Sequence, residues 1–354
     1  MRVLHLIDTL HSMPCPTLLA QAADAVRSNT LDEQAVWTIG SSEITPAANS
    51  GGLRVQRHIP CGAGAWHQWW VRRRMPAIDA QVIHLWTIGA AAFAPPGTPL
   101  TAGFHHLPQG LHLKSSARAA LLGAKALGVF NEADSQRLAS VGIDAARIQL
   151  LDPGLDLRRL AATDRAAVRT RLGIKDESLQ LAAVIGDPSG DIDGLIGATG
   201  VGIANETGRH VRLIISPRAG AVNRAIHMLT SAKRRTTLID DALAEEPWRI
   251  LGACDLAVVM AGAHSAAWAM AAGLPLVAAD RPELRRLLKE GKTARFGRAD
   301  SCAQIAQAVC RTLDQPDQSR AMAQAAKAEA ERRFPAAGWI TRMRGHWESR
   351  GAIT

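Results

Sequence analysis

Residues 256–279 read LAVVMAGAHSAAWAMAAGLPLVAA. The stretch carries no charge, and His264 is its one strongly polar side chain. On length alone it reaches the span of a bilayer. Gly262, Gly273 and Pro275 interrupt it, however, and leave pieces too short for a membrane helix. Residues 256–260 and 276–279 read as apolar strands of the kind buried on both faces of a parallel sheet. A helix of mostly small residues, 265–272, fits between them. Strand, helix and strand in this order form the repeating element of a doubly wound α/β fold.

The alternation extends outward from this unit in both directions. Upstream, strands are expected at 181–185, 211–215 and 237–239, with helices at 193–204, 223–232 and 248–253. Downstream, helices are expected at 283–290, 302–313, 319–332 and 339–348. An earlier series carries strands at 3–7, 35–39, 82–85 and 100–103. Its helices fall at 17–27, 115–126 and 132–141. Two successive doubly wound halves follow, joined near residues 155–178. The expected domains are 1–160, 161–335 and a closing helix in 336–354 that packs back on the first domain. No fixed-period repeat or low-complexity tract is present.

The bulk composition agrees. A chain of 354 residues that is 47% hydrophobic can fill two ordinary cores. The net charge of +9 suits an anionic partner, and equally suits arginine-rich solvated faces that keep a protein soluble. Five cysteines, Cys15, Cys61, Cys254, Cys302 and Cys310, have no metal-ligand spacing and read as reduced, mostly buried thiols of a cytoplasmic protein. The opening MRVLHLIDTL reaches Asp8 too soon for a signal peptide.

Several phrases, in order, carry a family resemblance. RIQLLDPGLDLRRL (147–160) is similar to an interdomain phrase in which a strand meets a Pro-Asn-Gly-Val-Asp turn. VRTRLGI (168–174) matches an Arg-x-x-Leu-Gly spacing, and LAAVIGD (181–187) stands where a strand ends in Val-Gly-Arg. EPWRILGACDLAVVM (246–260) and AMAAGLPLVAADRPELRRLLKEGKTARF (269–296) follow, then ERRFPAAGWITRM (331–343). Over nearly its whole length the chain resembles the family-4 type glycosyltransferases of the GT-B fold. The resemblance implies two Rossmann-like domains facing a cleft, a nucleotide-sugar donor on the second domain and an acceptor on the first. It also implies transfer with retention of configuration. Donor phosphates would rest on the helix beginning near His264 and Ser265, after the Gly262 turn, where a helix N-terminus favours anions. Ser265 would make a good N-cap in any case. Gly186 would lie beside the donor, as would Glu283, which is equally readable as a first-turn residue that favours the helix dipole. His105, of the pair His105–His106, matches a histidine close to the transferred sugar, and is equally readable as an ordinary loop histidine.

The chain departs from the family pattern in three places. Members usually carry two glutamates eight residues apart, and here those positions are Met260 and Trp268. An indole donates one hydrogen bond and accepts none from a ribose diol. Members place an arginine after the strand glycine and a lysine five residues on, where this chain has Asp187 and Ile192. Third, DTLHSMPCP (8–16) replaces a Gly-Gly turn, and Pro14 supplies no N–H. Asp187, Ser189, Asp191 and Asp193 have the spacing of a calcium loop, but Ile192 and Ala198 fall where glycine and glutamate belong. No metal and no cofactor is therefore expected.

AWHQWWVRRRMP (65–76) sets Trp66, Trp69 and Trp70 beside Arg72, Arg73 and Arg74. At helical spacing this suits a peripheral membrane contact or an anionic acceptor. The plainer expectation is tryptophans in the core and arginines in solvent. No nucleic-acid module frames the segment, and no nucleic-acid partner is expected. Nor is there a nucleophile elbow, a Walker loop or a Cys-x-x-Cys. Two functions remain. One is a glycosyltransferase-like enzyme using a nucleotide-sugar donor and a glycan or lipid-linked acceptor, in the cytoplasm or at the inner face of the membrane. The other is a catalytically inactive relative that binds a glycan, a nucleotide or a protein.

Overall fold

Two parallel sheets carry the fold. The computed structural model describes residues 2–8, 33–40, 57–60, 65–74, 80–95, 99–104, 107, 115–175, 179–186, 211–215, 236–238, 247–339, 341, 342 and 345. The chain divides into two units, Met1–Gly154 with Ala336–Thr354, and Leu155–Pro335.

The first unit holds β1 (Arg2–Asp8), β2 (Glu33–Gly40), β3 (Arg57–Pro60), α1 (Ala65–Arg74), β4 (Val82–Leu85), β5 (Leu100–Phe104), α2 (Ser115–Gly123), β6 (Ala126–Val129), α3 (Glu132–Ser140) and β7 (Ile148–Leu150). A 3-10 turn covers Gly89–Phe93. The strand order is β3-β2-β1-β4-β5-β6-β7. Order reverses between β1 and β4, which pair in parallel with Val3 opposite Val82. Successive residues of β1 point to opposite faces, and Val3, Leu4, Leu6 and Ile7 are all buried, so both faces of this strand are covered. That is why it reads as an unbroken apolar run. His5 and His84 sit in the same core. His5 Nδ1 accepts from Trp86 Nε1 at 3.0 Å, and His84 Nδ1 lies 2.9 Å from Thr101 Oγ1. Trp339 packs on Trp86 with ring centroids 6.3 Å apart. Gly154 leaves room for it, because a Cβ there would come within 2.4 Å of the indole.

The second unit holds α4 (Leu157–Ala161), α5 (Arg165–Arg171), β8 (Gln180–Ile185), β9 (Val211–Ile215), β10 (Thr236–Leu238), α6 (Pro247–Ala253), β11 (Leu256–Val259), α7 (Ala263–Ala271), β12 (Leu276–Asp280), α8 (Pro282–Arg285), β13 (Arg295–Arg298), α9 (Cys302–Asp314) and α10 (Pro316–Arg333). Its order, β10-β9-β8-β11-β12-β13, is again Rossmann-like, with the reversal between β8 and β11. The charge-free stretch is thus β11, α7 and β12. Among the described residues no helix is long and apolar enough to cross a membrane.

Two of the phrases that carry the family resemblance have structural work in this unit. Arg169, from Arg-x-x-Leu-Gly, is buried and donates to Leu179 O at 2.7 Å and Ala253 O at 3.3 Å. Asp255 accepts from Leu181 N at 2.8 Å and pairs with Arg165 at 2.6 Å. Together they pin α5 and α6 to the start of β8. Cys254, beside Asp255, is fully buried, and burial pushes its thiol up to about 12. Cys302 and Cys310 are only half-buried, so of the described cysteines one alone fits the expected buried thiol.

The sequence expectations need four corrections. The helix expected over 115–126 stops at Gly123, because β5 recruits the following residues. Lys125 N donates to Leu100 O at 2.8 Å, and Ala126 begins β6. The helix expected over 283–290 is the short α8. Leu287 and Leu288 bury themselves instead, and Glu290 accepts from Phe296 N at 2.8 Å to start β13. The helix expected from 265 begins at Ala263, and its N-cap is Gly262 rather than Ser265. Finally, β3, β6 and β13 stand where no strand was expected. The helices expected at 17–27, 193–204 and 223–232 lie outside the described residues.

Asp156, in the interdomain phrase, caps α4 by accepting from Arg158 N at 3.2 Å. Burial opposes its ionisation, but the Arg158 guanidinium, 2.8 Å away, holds the carboxyl below its ordinary value of 3.8. Asp156→Ala should cost about 1 kcal/mol at neutral pH through the lost cap. A depressed folded-state pKa stabilises above the unfolded value, and the benefit is lost as pH falls through the folded one. The gap between variant and native chain should therefore narrow below pH 3.8, as denaturant melts across pH would show.

Candidate functional site

In open doubly wound sheets, ligands sit beyond the carboxyl ends of the strands where the order reverses. In the second unit that place follows β8 and β11. Gly186 leaves β8 half-buried. Met260 N donates to Ile185 O at 2.8 Å, which extends the pairing one residue past β11 and sets Met260 beside the exit of β8. Gly262 then turns the chain with φ of 89°, a conformation that costs a non-glycine residue about 1–2 kcal/mol. Directly after it α7 begins. Ala266 N closes the first helical bond onto Gly262 O at 3.2 Å, so the N–H groups of Ala263, His264 and Ser265 lie ahead of the ladder. The cap supplies no side-chain hydrogen bond. His264 is buried and Ser265 half-buried.

One strand further along, β12 ends at Asp280, and Glu283 sits half-buried in the first turn of α8. Arg285 is committed locally. It donates to Asp280 at 2.7 Å, holding that carboxyl below its ordinary value, and lies 4.0 Å from the Phe296 ring centroid. Arg281, immediately after β12, is a residue that sequence reasoning missed. It is half-buried, and its Nε is buried with no hydrogen-bond partner. It puts a cation at the carboxyl end of β12, two strands along from the β8 exit after which the resemblance places an arginine and a lysine. The signal was present, as the first positive charge after the charge-free stretch 256–279.

Gly186, His264 and Ser265 therefore gather at the switch point, with Glu283 on the neighbouring connection. His105 lies outside the described residues, as do Asp187, Ile192 and the calcium-like spacing of Asp187, Ser189, Asp191 and Asp193. The chain just after His105 is nevertheless anchored. Leu107 N donates to Asp134 Oδ2 at 3.2 Å, and Leu107 O accepts from Arg137 at 2.9 Å. Asp134 is fully buried and also accepts from Asn131 and Arg137, each at 2.8 Å. This network too escaped the sequence reading. Its signal is an Asn with an acidic residue three positions on at a helix start, close to a capping-box pattern.

The two positions where the resemblance leads one to expect glutamates, Met260 and Trp268, are both core. Met260 is 0% exposed and Trp268 1%. The Trp268 ring lies 5.4 Å from Trp248, and the Arg159 guanidinium carbon lies 5.1 Å from the Trp248 ring centroid. Arg159 is in turn 3.5 Å from Asp156. Trp268 Nε1 is buried without a hydrogen-bond partner.

Comparison with known proteins agrees with this architecture. A family model described as glycosyl transferase-like matches residues 268–345. A D-inositol 3-phosphate glycosyltransferase of Nocardia farcinica is 29% identical over 202 residues, which is 53% of this chain and 45% of that protein. The match thus spans under half the length of that curated relative. Among solved structures, HepE of Anabaena, in complex with UDP and glucose, superposes with a TM-score of 0.76 at 15% identity, covering 99% of this chain and 100% of that one. Sucrose-phosphate synthase of Thermosynechococcus elongatus gives 0.73 at 15%, covering 99% of each. The fold is GT-B. Residues 268–345 are the segment that resembles the glycosyl transferase-like family.

Proposed function

We propose that the protein transfers a sugar from a nucleotide-sugar donor to a glycan or lipid-linked acceptor, with retention of configuration, on the cytoplasmic side of the membrane. The observation that carries this reading is the second unit's switch point. A strand-end glycine, a positive-φ glycine and the N-terminus of α7 meet there, which is the geometry that suits a diphosphate. In this reading Gly186 lets the donor approach the backbone. The turn at His264 and Ser265 faces its phosphates, and Glu283 accepts from its sugar hydroxyls. Arg281 supplies positive charge to the departing diphosphate. His105, on the first unit, is assigned to the transferred sugar.

Burial of Met260 and Trp268 favours a second reading, in which the protein is a catalytically inactive relative that binds a nucleotide, glycan or protein. Calorimetric titration with UDP and GDP, paired with an assay for release of UDP or GDP from nucleotide sugars, separates the two. Micromolar binding, weakened about tenfold in Arg281→Gln, is expected of a charge-assisted phosphate contact. Absence of binding to either nucleotide would leave the second reading.

A further inference from the structure

Among the described residues, one side of the helix α1 (Ala65–Arg74) packs on the first unit. Val71 is fully buried, Trp70 packs half-buried against the core, and Arg72 Nη2 donates to Ala92 O at 2.6 Å. The other side points to solvent. Trp66 is 65% exposed and Trp69 54%, the two most exposed of the large hydrophobic side chains described. The plainer sequence expectation, that these tryptophans are core, is therefore corrected. Positions 66, 69 and 73 follow i, i+3, i+7 spacing and share one helix face. Arg73 is exposed on that face, with its guanidinium carbon 5.4 Å from the Trp69 ring centroid.

We propose that this face of α1 docks the protein on an anionic lipid bilayer. Indole rings settle at the headgroup level, where an apolar body and a polar N–H are both accommodated. Arginine adds attraction to anionic headgroups. The helix, AWHQWWVRRR, contains no acidic residue, so nothing on it opposes a negative surface. A second copy of the chain is a poorer occupant. A two-fold contact through this face would bring two basic helices together with no carboxylate on either to answer the charge. The proposal deepens the lipid-linked acceptor of the preceding section and rests on that reading only for its purpose. Surface binding itself needs no donor.

The test is co-sedimentation of the full chain with phosphatidylcholine vesicles, with and without phosphatidylglycerol, at low and high salt. Binding should require phosphatidylglycerol and weaken with salt. Trp66→Ala with Trp69→Ala should lower it at least about tenfold, and Arg73→Gln about fivefold, with thermal melts unchanged. No binding to the anionic vesicles, or equal binding by the double tryptophan variant, would overturn the proposal. A concentration-dependent dimer that the double variant abolishes would also overturn it, by naming a second copy as the occupant. UDP titration of the same double variant should match the native chain. Vesicle binding without nucleotide binding would sink the donor reading and leave this one standing, and the converse result would do the reverse.

Discussion

Trp268→Glu, which restores the carboxylate that the family resemblance leads one to expect, should unfold the second unit rather than create a ribose site. The side chain is 1% exposed and stacked against Trp248, inside a helix whose other described residues, apart from Ser265, are buried. A glutamate there loses the packing of an indole, worth about 3–5 kcal/mol when truncated to alanine. It also carries a charge for which no partner stands ready, since Arg159 is engaged over Trp248 and beside Asp156. Trp268→Ala should therefore cost about 3–5 kcal/mol and Trp268→Glu more. Trp268→Phe should cost the least, because the indole N–H has no hydrogen bond to lose. Chemical denaturation of the three variants orders them. A stable Trp268→Glu protein that gains UDP affinity would mean that the side chain lies within reach of the donor, contrary to its burial.

That contrast marks what the sequence could and could not convey. The alternation of residues 256–279 was readable as β11, α7 and β12 because strands covered on both faces are apolar at every position. The same rule found β1, β4 and β8. It fails where a strand is short or carries polar ends. RHIP at β3 offers no apolar run, and β13, RFGR, buries Arg295 only because Gln315 and Gln318 accept from its guanidinium. β6 begins at Ala126, the last residue of an alanine-rich helix reading that the sheet cut short. At the candidate site, Gly262 was legible because its positive-φ turn demands glycine, and Gly186 through the resemblance. What Trp268 touches was not legible. A residue that fills a core and one that lines a pocket look alike in sequence, and only the stack on Trp248 tells them apart. The exposed Trp66 and Trp69 illustrate the opposite error, since composition alone argues for burial.

Asp134→Ala should lower stability by about 3 kcal/mol, the lower end of the cost of breaking a buried ion pair. The lower end applies because the partner, Arg137, keeps 29% of its side chain exposed and can recover water. Three donors lose their acceptor at once, namely Asn131 Nδ2, Leu107 N and Arg137. The same change should damage transfer beyond its effect on stability. Leu107 lies two residues after His105, and Asp134 and Arg137 bracket its N–H and its carbonyl. Releasing that anchor frees the stretch to which the transferred sugar is assigned, and small misplacement of a positioned group costs up to about a hundredfold in rate. Asp134→Asn separates the two effects. Its amide oxygen still accepts from Leu107 N, but the charge facing Arg137 is gone, so stability should fall while activity is largely kept. The measurement is turnover of the sugar acceptor below the melting temperature of each variant, with UDP affinity in parallel. If Asp134→Ala loses stability alone and turns over like the native chain, the network is a fold element and the His105 stretch does not depend on it. Loss of turnover in Asp134→Ala with UDP affinity unchanged would place the defect on the first unit, away from Gly186 and the α7 turn.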